Sequence, residues 1–213
     1  MTLTDTCVHP CPIGDSSIRR MALEARQMGL SGLVAVDTPP GVIEGVRVIR
    51  GIIITAQQVK EVISALRRVP KSNALVMVNA TDPGFVRAVI GLKNVHILRH
   101  VHRAEKYAFD HVAARMASEQ GVAVDFDLRP VIYYRGVPRQ KVLHRYMDVL
   151  ALHHRYEFPL TISTNACSIL DMRGPREIRA LTSLFGMDEE TFESTLHSVD
   201  RLLSPGYPVR VID

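Results

Sequence analysis

A single β/α barrel is the fold this sequence predicts, on three observations. Short β-branched apolar runs alternate with segments of 3.6-residue apolar period along the 213 residues, the pattern of parallel strands joined by helices. None of those runs is followed by the glycine-rich phosphate loop that marks an open dinucleotide-binding sheet. Polar or reactive residues recur just after the expected strand ends, at His9, Asp37, Asn79, His100, Asp127 and Asn165; a barrel gathers such positions at one mouth. The expectation is one domain over residues 1–213, with about seven strands alternating with helices in a TIM-like barrel. An open doubly wound sheet is the alternative.

The strands are expected at Leu3–Val8, Gly32–Val36, Val46–Thr55, Ala74–Val78, Val95–Leu98, Val122–Phe126 and Leu160–Ser163. They read as near-continuous apolar runs, as in a sheet buried on both faces. The first helix opens near Asp15-Ser16, lines up Ile18, Met21, Ala22, Ala25 and Met28, and stops at Gly29. Val59, Val62, Ile63 and Leu66 form a second stripe before Pro70. Asp82-Pro83 is an N-cap followed by proline where a missing N–H costs nothing. Phe109, Val112, Ala113 and Met116 precede Gly121, and Val142, Tyr146, Val149 and Leu150 mark another stripe. Gly174-Pro175 opens a helix with Ile178, Leu181, Thr182 and Phe185, closed by Gly186; Asp188 opens a last one with Phe192, Leu196, Val199 and Leu202.

A chain of this length buries about 70% of its unfolded surface and needs no disulfides. Cys7, Cys11 and Cys167 are an odd number at no framework spacing, which suits a reducing cytosol. No window approaches a membrane span, and MTLTDTCVHP has neither the basic nor the apolar region of a secretory signal. The expectation is a cytoplasmic protein without membrane contact. The net charge is +4, and between Asp127 and Arg145 five cations (Arg129, Arg135, Arg139, Lys141 and Arg145) face one acid. That window holds the whole excess.

Asp5-Thr6-Cys7-Val8-His9 leaves the first strand and resembles the D-x-H-x-H opening of the PHP family of metal-dependent phosphoesterases, with Cys7 at the first histidine position. Ser163-Thr164-Asn165-Ala166-Cys167 resembles that family's S-D-A-H, with Asn165 for the acid and Cys167 for the histidine. Thiolate can ligate zinc, but a neutral amide is a poor ligand for a hard cation. His9, Cys7 and Cys167 therefore read as vestigial ligand positions, with a divergent PHP-type phosphoesterase as the alternative function. His100-Val101-His102, flanked by Arg99 and Arg103, reads as a solvated, anion-facing turn, because positive neighbours oppose a cation. Asp37, Asp125 and Asp127 are treated as structural. Phe126–Arg135 is expected as a loop on which arginine and tyrosine interleave, a composition suited to phosphate pairing and base stacking. Arg173 and Arg176 add cations at a helix start, where free N–H groups also favour anions.

Four segments in order, D-x-C-V-H-P at the start, FDLRPVI at Phe126–Ile132, ISTNACS at Ile162–Ser168 and RGPREIRALTSLFGM at Arg173–Met187, resemble the ribonuclease P protein component 3 family of archaea. The likeness spans residue 3 to about residue 203. It implies a PHP-related barrel, no catalytic residue and no cofactor in this chain, and magnesium chemistry belonging to an RNA subunit. It further implies partners: ribonuclease P RNA, protein component 2 and other ribonuclease P proteins, and precursor tRNA, whose 5′ leader the holoenzyme removes. The residues expected on the RNA side are Arg129, Arg135, Arg139, Lys141, Arg173, Arg176, Arg99 and His100. The sequence departs from the family at Asp127, where asparagine is common, and at Asn165, where glycine is common. Asparagine can hold the left-handed backbone that such a glycine supplies. A partner-binding scaffold without RNA contact is a third reading.

Overall fold

The computed structural model describes residues 3–69 and 74–203. Seven parallel strands form the barrel wall: β1 (Thr4–Val8), β2 (Gly32–Val36), β4 (Val46–Ile54), β5 (Ala74–Asn79), β6 (Ile97–Arg99), β7 (Ala123–Asp127) and β8 (Leu160–Ser163), each paired with the next. A parallel bridge between Val8 and Ala166, with His9 N–H donating to the Ala166 carbonyl at 2.7 Å, brings the last strand back to the first. The barrel is nearly closed, which excludes the open sheet. A further strand, β3 (Gly41–Ile43), pairs antiparallel with β4 through a tight turn at Glu44-Gly45, both left-handed. It escapes a reading by pattern because its three residues are largely exposed and follow Pro39-Pro40.

The helices that cover the wall are α1 (Ile18–Met28), α2 (Val59–Leu66), α3 (Pro83–Ile90), α4 (His111–Gln120), α5 (Arg129–Tyr133), α6 (Gly136–Tyr156), α7 (Pro175–Thr182), α8 (Glu189–Leu196) and α9 (Ser198–Leu203). Their ends follow local chemistry. The side chains of Ser17, Asp82, Asp110 and Asp188 accept first-turn N–H groups, while Gly29 and Gly121 close α1 and α4 with left-handed backbone. Pro70 lies outside the described residues. On α4 the fully buried face is Ala113, Ala114 and Ala117, with Met116 half-buried against the same core; alanines let the helix sit close to its neighbours, and Val112 turns outward.

Two expectations are corrected at the ends of the chain's last third. Phe126–Arg135 is not one loop, because Asp127 ends β7 and Arg129–Tyr133 forms α5, with Pro130 in its first turn. The last helix is two: α8 stops at His197, and α9 turns under the barrel so that Val199 and Leu202 join its interior. There Arg47 meets Asp200 at 2.6 Å.

The interior has two unlike halves. One is apolar, with Val34, Val36, Ile49, Leu75, Met77, Ile97 and Ala123 in one cluster with Cys7. The other, along β6, β7, β8 and β1, holds Arg99, Asp125, Asp127, Thr161, Ser163 and Thr6, all buried, while the buried Asp5 pairs with Leu33 on the side facing α1. Burial of that much polarity requires internal partners, and the candidate site is built from them.

Candidate functional site: the barrel mouth and its basic flank

A bulge in β1 sets the geometry of the polar half. Asp5 pairs with Leu33 but Val8 with Ala35, so three steps on β1 face two on β2. Consecutive residues thereby reach the interior: the Thr6 hydroxyl lies 3.0 Å from Asp125 Oδ1, and Cys7 joins the interior cluster. Side chains also stitch β1 to β8 where backbone pairing is sparse. The Thr6 hydroxyl lies 2.7 Å from the Ile162 carbonyl, and Asp5 accepts both the N–H and the hydroxyl of Thr164. Burial still pushes the Asp5 carboxyl up from 3.8 to about 6.

Asn165 is the hub of the mouth. Its backbone is left-handed, φ 52°, as expected for asparagine replacing glycine. Its Nδ2 donates to Asp127 Oδ2 at 3.1 Å, which turns Oδ1 towards Arg99 Nη2 at 3.0 Å and His9 Nε2 at 2.6 Å. His9 therefore carries its proton on Nε2, and its buried Nδ1 has no hydrogen-bond partner. Cys7 Sγ sits 3.6 Å from that same Nε2, and burial pushes its thiol up to about 12, away from thiolate. Asp125 accepts from Thr161 and Ser163, with Arg99 Nε 3.8 Å from its Oδ2. Tyr146, fully buried on α6, donates its hydroxyl to the Asp127 carbonyl at 2.7 Å.

The solvated reading of Arg99 is thus corrected. Its side chain is 2% exposed inside the barrel, because Asp125 and Asn165 draw it in. His100 has left-handed backbone, with Nε2 3.4 Å from Asp127 Oδ2. His102 does not share its direction as on a strand, since β6 ends at Arg99; it meets the Tyr146 hydroxyl at 3.0 Å, and burial lowers it to about 4. Asp125 and Asp127 are buried in the wall, while Asp37 is exposed.

Beside the mouth the structure gathers cations distant in sequence. Arg129 Nη1 donates to the Asn165 carbonyl at 3.1 Å and lies 2.9 Å from Cys167 Sγ, with its guanidinium over the Tyr133 ring. Tyr133 is tied in turn to Asp171. Arg135, at the N-cap of α6, Arg139 in its first turns and Arg173 before α7 line one shallow depression with Ile132 and Glu177. Arg176 is exposed on the first turn of α7. Lys141 is apart from these. It borders a second groove with His102, Lys106, Tyr107, His144 and Arg145, on another face of α6.

A sequence model of the RNase P subunit p30 family matches residues 2–205. This chain belongs to the RNase P subunit p30 family. Among curated relatives, Ribonuclease P protein component 3 of Methanococcoides burtonii is 31% identical over 193 residues, covering 87% of this chain and 80% of that protein. The protein of the same name from Methanosarcina acetivorans is 28% identical, covering 95% and 91%. Among solved structures, a chain of an archaeal Ribonuclease P determined by cryo-EM with mature tRNA superposes with a TM-score of 0.76 at 16% identity, over 93% of this chain and 89% of that one. A chain from the crystal structures of YwqE of Bacillus subtilis and CpsB of Streptococcus pneumoniae, described as metal-dependent tyrosine phosphatases, shares the fold, at a TM-score of 0.61 and 15% identity, over 94% of this chain and 94% of that one.

The mouth of this p30-family chain does not fit the metal those phosphatases are named for. His9 Nε2–H is spent on Asn165, Cys7 is held as thiol, and a guanidinium stands among the carboxylates. Among the described residues no three His, Cys, Asp or Glu side chains are grouped to hold a metal ion. No helix among them is long and apolar enough to cross a membrane. Sequence reasoning missed Thr6, Thr161 and Tyr146. Their signal, a hydroxyl inside an apolar run or stripe, is legible only once Asp125 and Asp127 are known to need donors.

Proposed function

We propose that this chain is a non-catalytic protein subunit of ribonuclease P that helps the catalytic RNA remove 5′ leaders from precursor tRNA. The observation that carries the reading is the convergence of Arg135, Arg139 and Arg173 on one depression, 34 residues of chain separating the last two, within a p30-family fold. Guanidinium groups pair bidentately with phosphate, and Arg129, Arg176 and the exposed Tyr133 extend the same flank. Lys141 faces elsewhere and is left out of this RNA face. The p30-family relatives named as ribonuclease P components support the same reading. Magnesium belongs to the RNA subunit; the mouth of this chain supplies no ligand set for it. The direct protein partner is ribonuclease P protein component 2, bound through an apolar interface core and so resistant to salt.

Reconstitution tests this. Cognate RNA and companion proteins should cleave precursor tRNA faster with this chain than without it, and the chain alone should cleave nothing. Equal rates with and without it would remove the assignment. Co-elution with component 2 in high salt at micromolar concentration is expected; separate elution would give the partner role to another subunit.

A further inference from the structure

The polar half of the barrel interior holds two buried carboxylates, those of Asp125 and Asp127, each about 1% exposed. One permanent cation, Arg99, is buried among them. Its Nε is 3.8 Å from Asp125, its Nη2 donates to Asn165 at 3.0 Å, and Asn165 passes the contact on to Asp127. Charges taken out of water without compensation are costly, so this cluster needs a cation. Around the same Asn165 amide stand residues of types that bind metals: Cys7, its Sγ 3.6 Å from Asn165 Oδ1 and from His9 Nε2, and His9, with an unpartnered buried Nδ1. Proteins that share this fold are named as metal-dependent.

We infer that Arg99 is the resident cation of this barrel mouth, neutralising its carboxylates in the space a divalent metal would otherwise take. The covalently tethered charge cannot dissociate, so the wall between β6 and β8 keeps its shape without a metal supply. Asn165 is the adaptor: a carboxylate there would add a second anion, whereas the amide accepts from Arg99 and donates to Asp127 at once. The inference concerns the chain alone and stands or falls apart from any role in ribonuclease P.

Zinc content after equilibration with zinc chloride and desalting tests it. The unchanged chain should retain well under one ion, whereas Arg99→Ala should retain about one and gain thermal stability on zinc addition, reversed by a chelator. Equal zinc in both chains, or a folded Arg99→Ala that takes none, overturns the inference. If Arg99→Ala does not fold with or without zinc, Arg99→Met combined with Asp125→Asn decides. Folding of that pair, while Arg99→Met alone fails, assigns Arg99 to charge neutralisation; failure of both assigns it to packing and overturns the proposal.

Discussion

Asn165 serves four neighbours, Cys7, His9, Arg99 and Asp127, with one amide while its backbone stays at positive φ. Substituting it separates the two duties. Asn165→Gly keeps the backbone and leaves Asp127, Arg99 and His9 short of a partner, a loss of about 2–4 kcal/mol. Asn165→Ala adds the left-handed penalty, about 1 kcal/mol more. Urea midpoints should therefore fall in the order unchanged, Gly, Ala; equal midpoints for Gly and Ala would mean that the backbone is not held at φ 52°. Two buried titratable groups act with opposite sign. Burial raises Asp5 from 3.8 to about 6, so its contribution is full below pH 4 and is lost as pH rises through 6, up to about 3 kcal/mol. Burial lowers His102 from 6.5 to about 4, so its contribution is full above 6.5 and is lost as pH falls towards 4. Against the unchanged chain, Asp5→Asn should steepen the loss of stability in acid, and His102→Gln should make it shallower. Urea melts between pH 4 and 7 read both slopes, and parallel curves would refute the burial account.

Among the elements, α6 carries the functional division. Over 21 residues it turns its buried stripe, Val142, Tyr146, Val149 and Leu150, to the barrel, and shows one cationic set towards α7 and another towards the loop after β6. Separate faces predict separable effects. Replacing Arg135, Arg139 and Arg173 by Ala should weaken RNA binding and lower the log–log salt slope by something below ~1 for each phosphate no longer neutralised. Replacing Lys141 and Arg145 should leave the slope nearly unchanged. The reverse result would move the RNA face to the groove beside Tyr107. Circular dichroism on the same samples excludes unfolding.

For the molecule as a whole, the weak line is the closure between β1 and β8. Neighbouring strands elsewhere share up to five residue pairs, but here one bridge and side-chain bonds from Thr6 and Asp5 carry the join. Local opening should start there. Hydrogen exchange at the amides of His9 and Thr164 should outpace that at Ile49 and Val76 in the middle of the wall; equal protection would mean the barrel opens only globally. At the other end α9 closes the base, so Val199→Asp should destabilise the barrel by several kcal/mol, since it buries an unpaired charge in its interior.

Much of this architecture was legible in the linear order of residues because its causes are local. Asp82 and Asp188 cap whichever helix follows them, Gly29 and Gly121 stop the one before, and β-branched runs buried on both faces read as parallel strands wherever they fall; the first helix, expected near Asp15-Ser16, is capped one residue later by Ser17. The excess charge was likewise visible from residue type and spacing, and the left-handed asparagine at 165 followed from the resemblance to a family with glycine there. Tertiary structure alone decided who meets whom. The strand β3 exists because β4 offers it an edge, and α9 separates from α8 because the barrel base needs apolar cover. Arg99 looked like part of a solvated turn until folding set it beside Asp125 and Asn165, the latter 66 positions along the chain. Whether an arginine faces water or a buried carboxylate depends on which strands fold beside it, here β7 and the turn after β8, and that leaves no mark on the residues nearest to it in the chain.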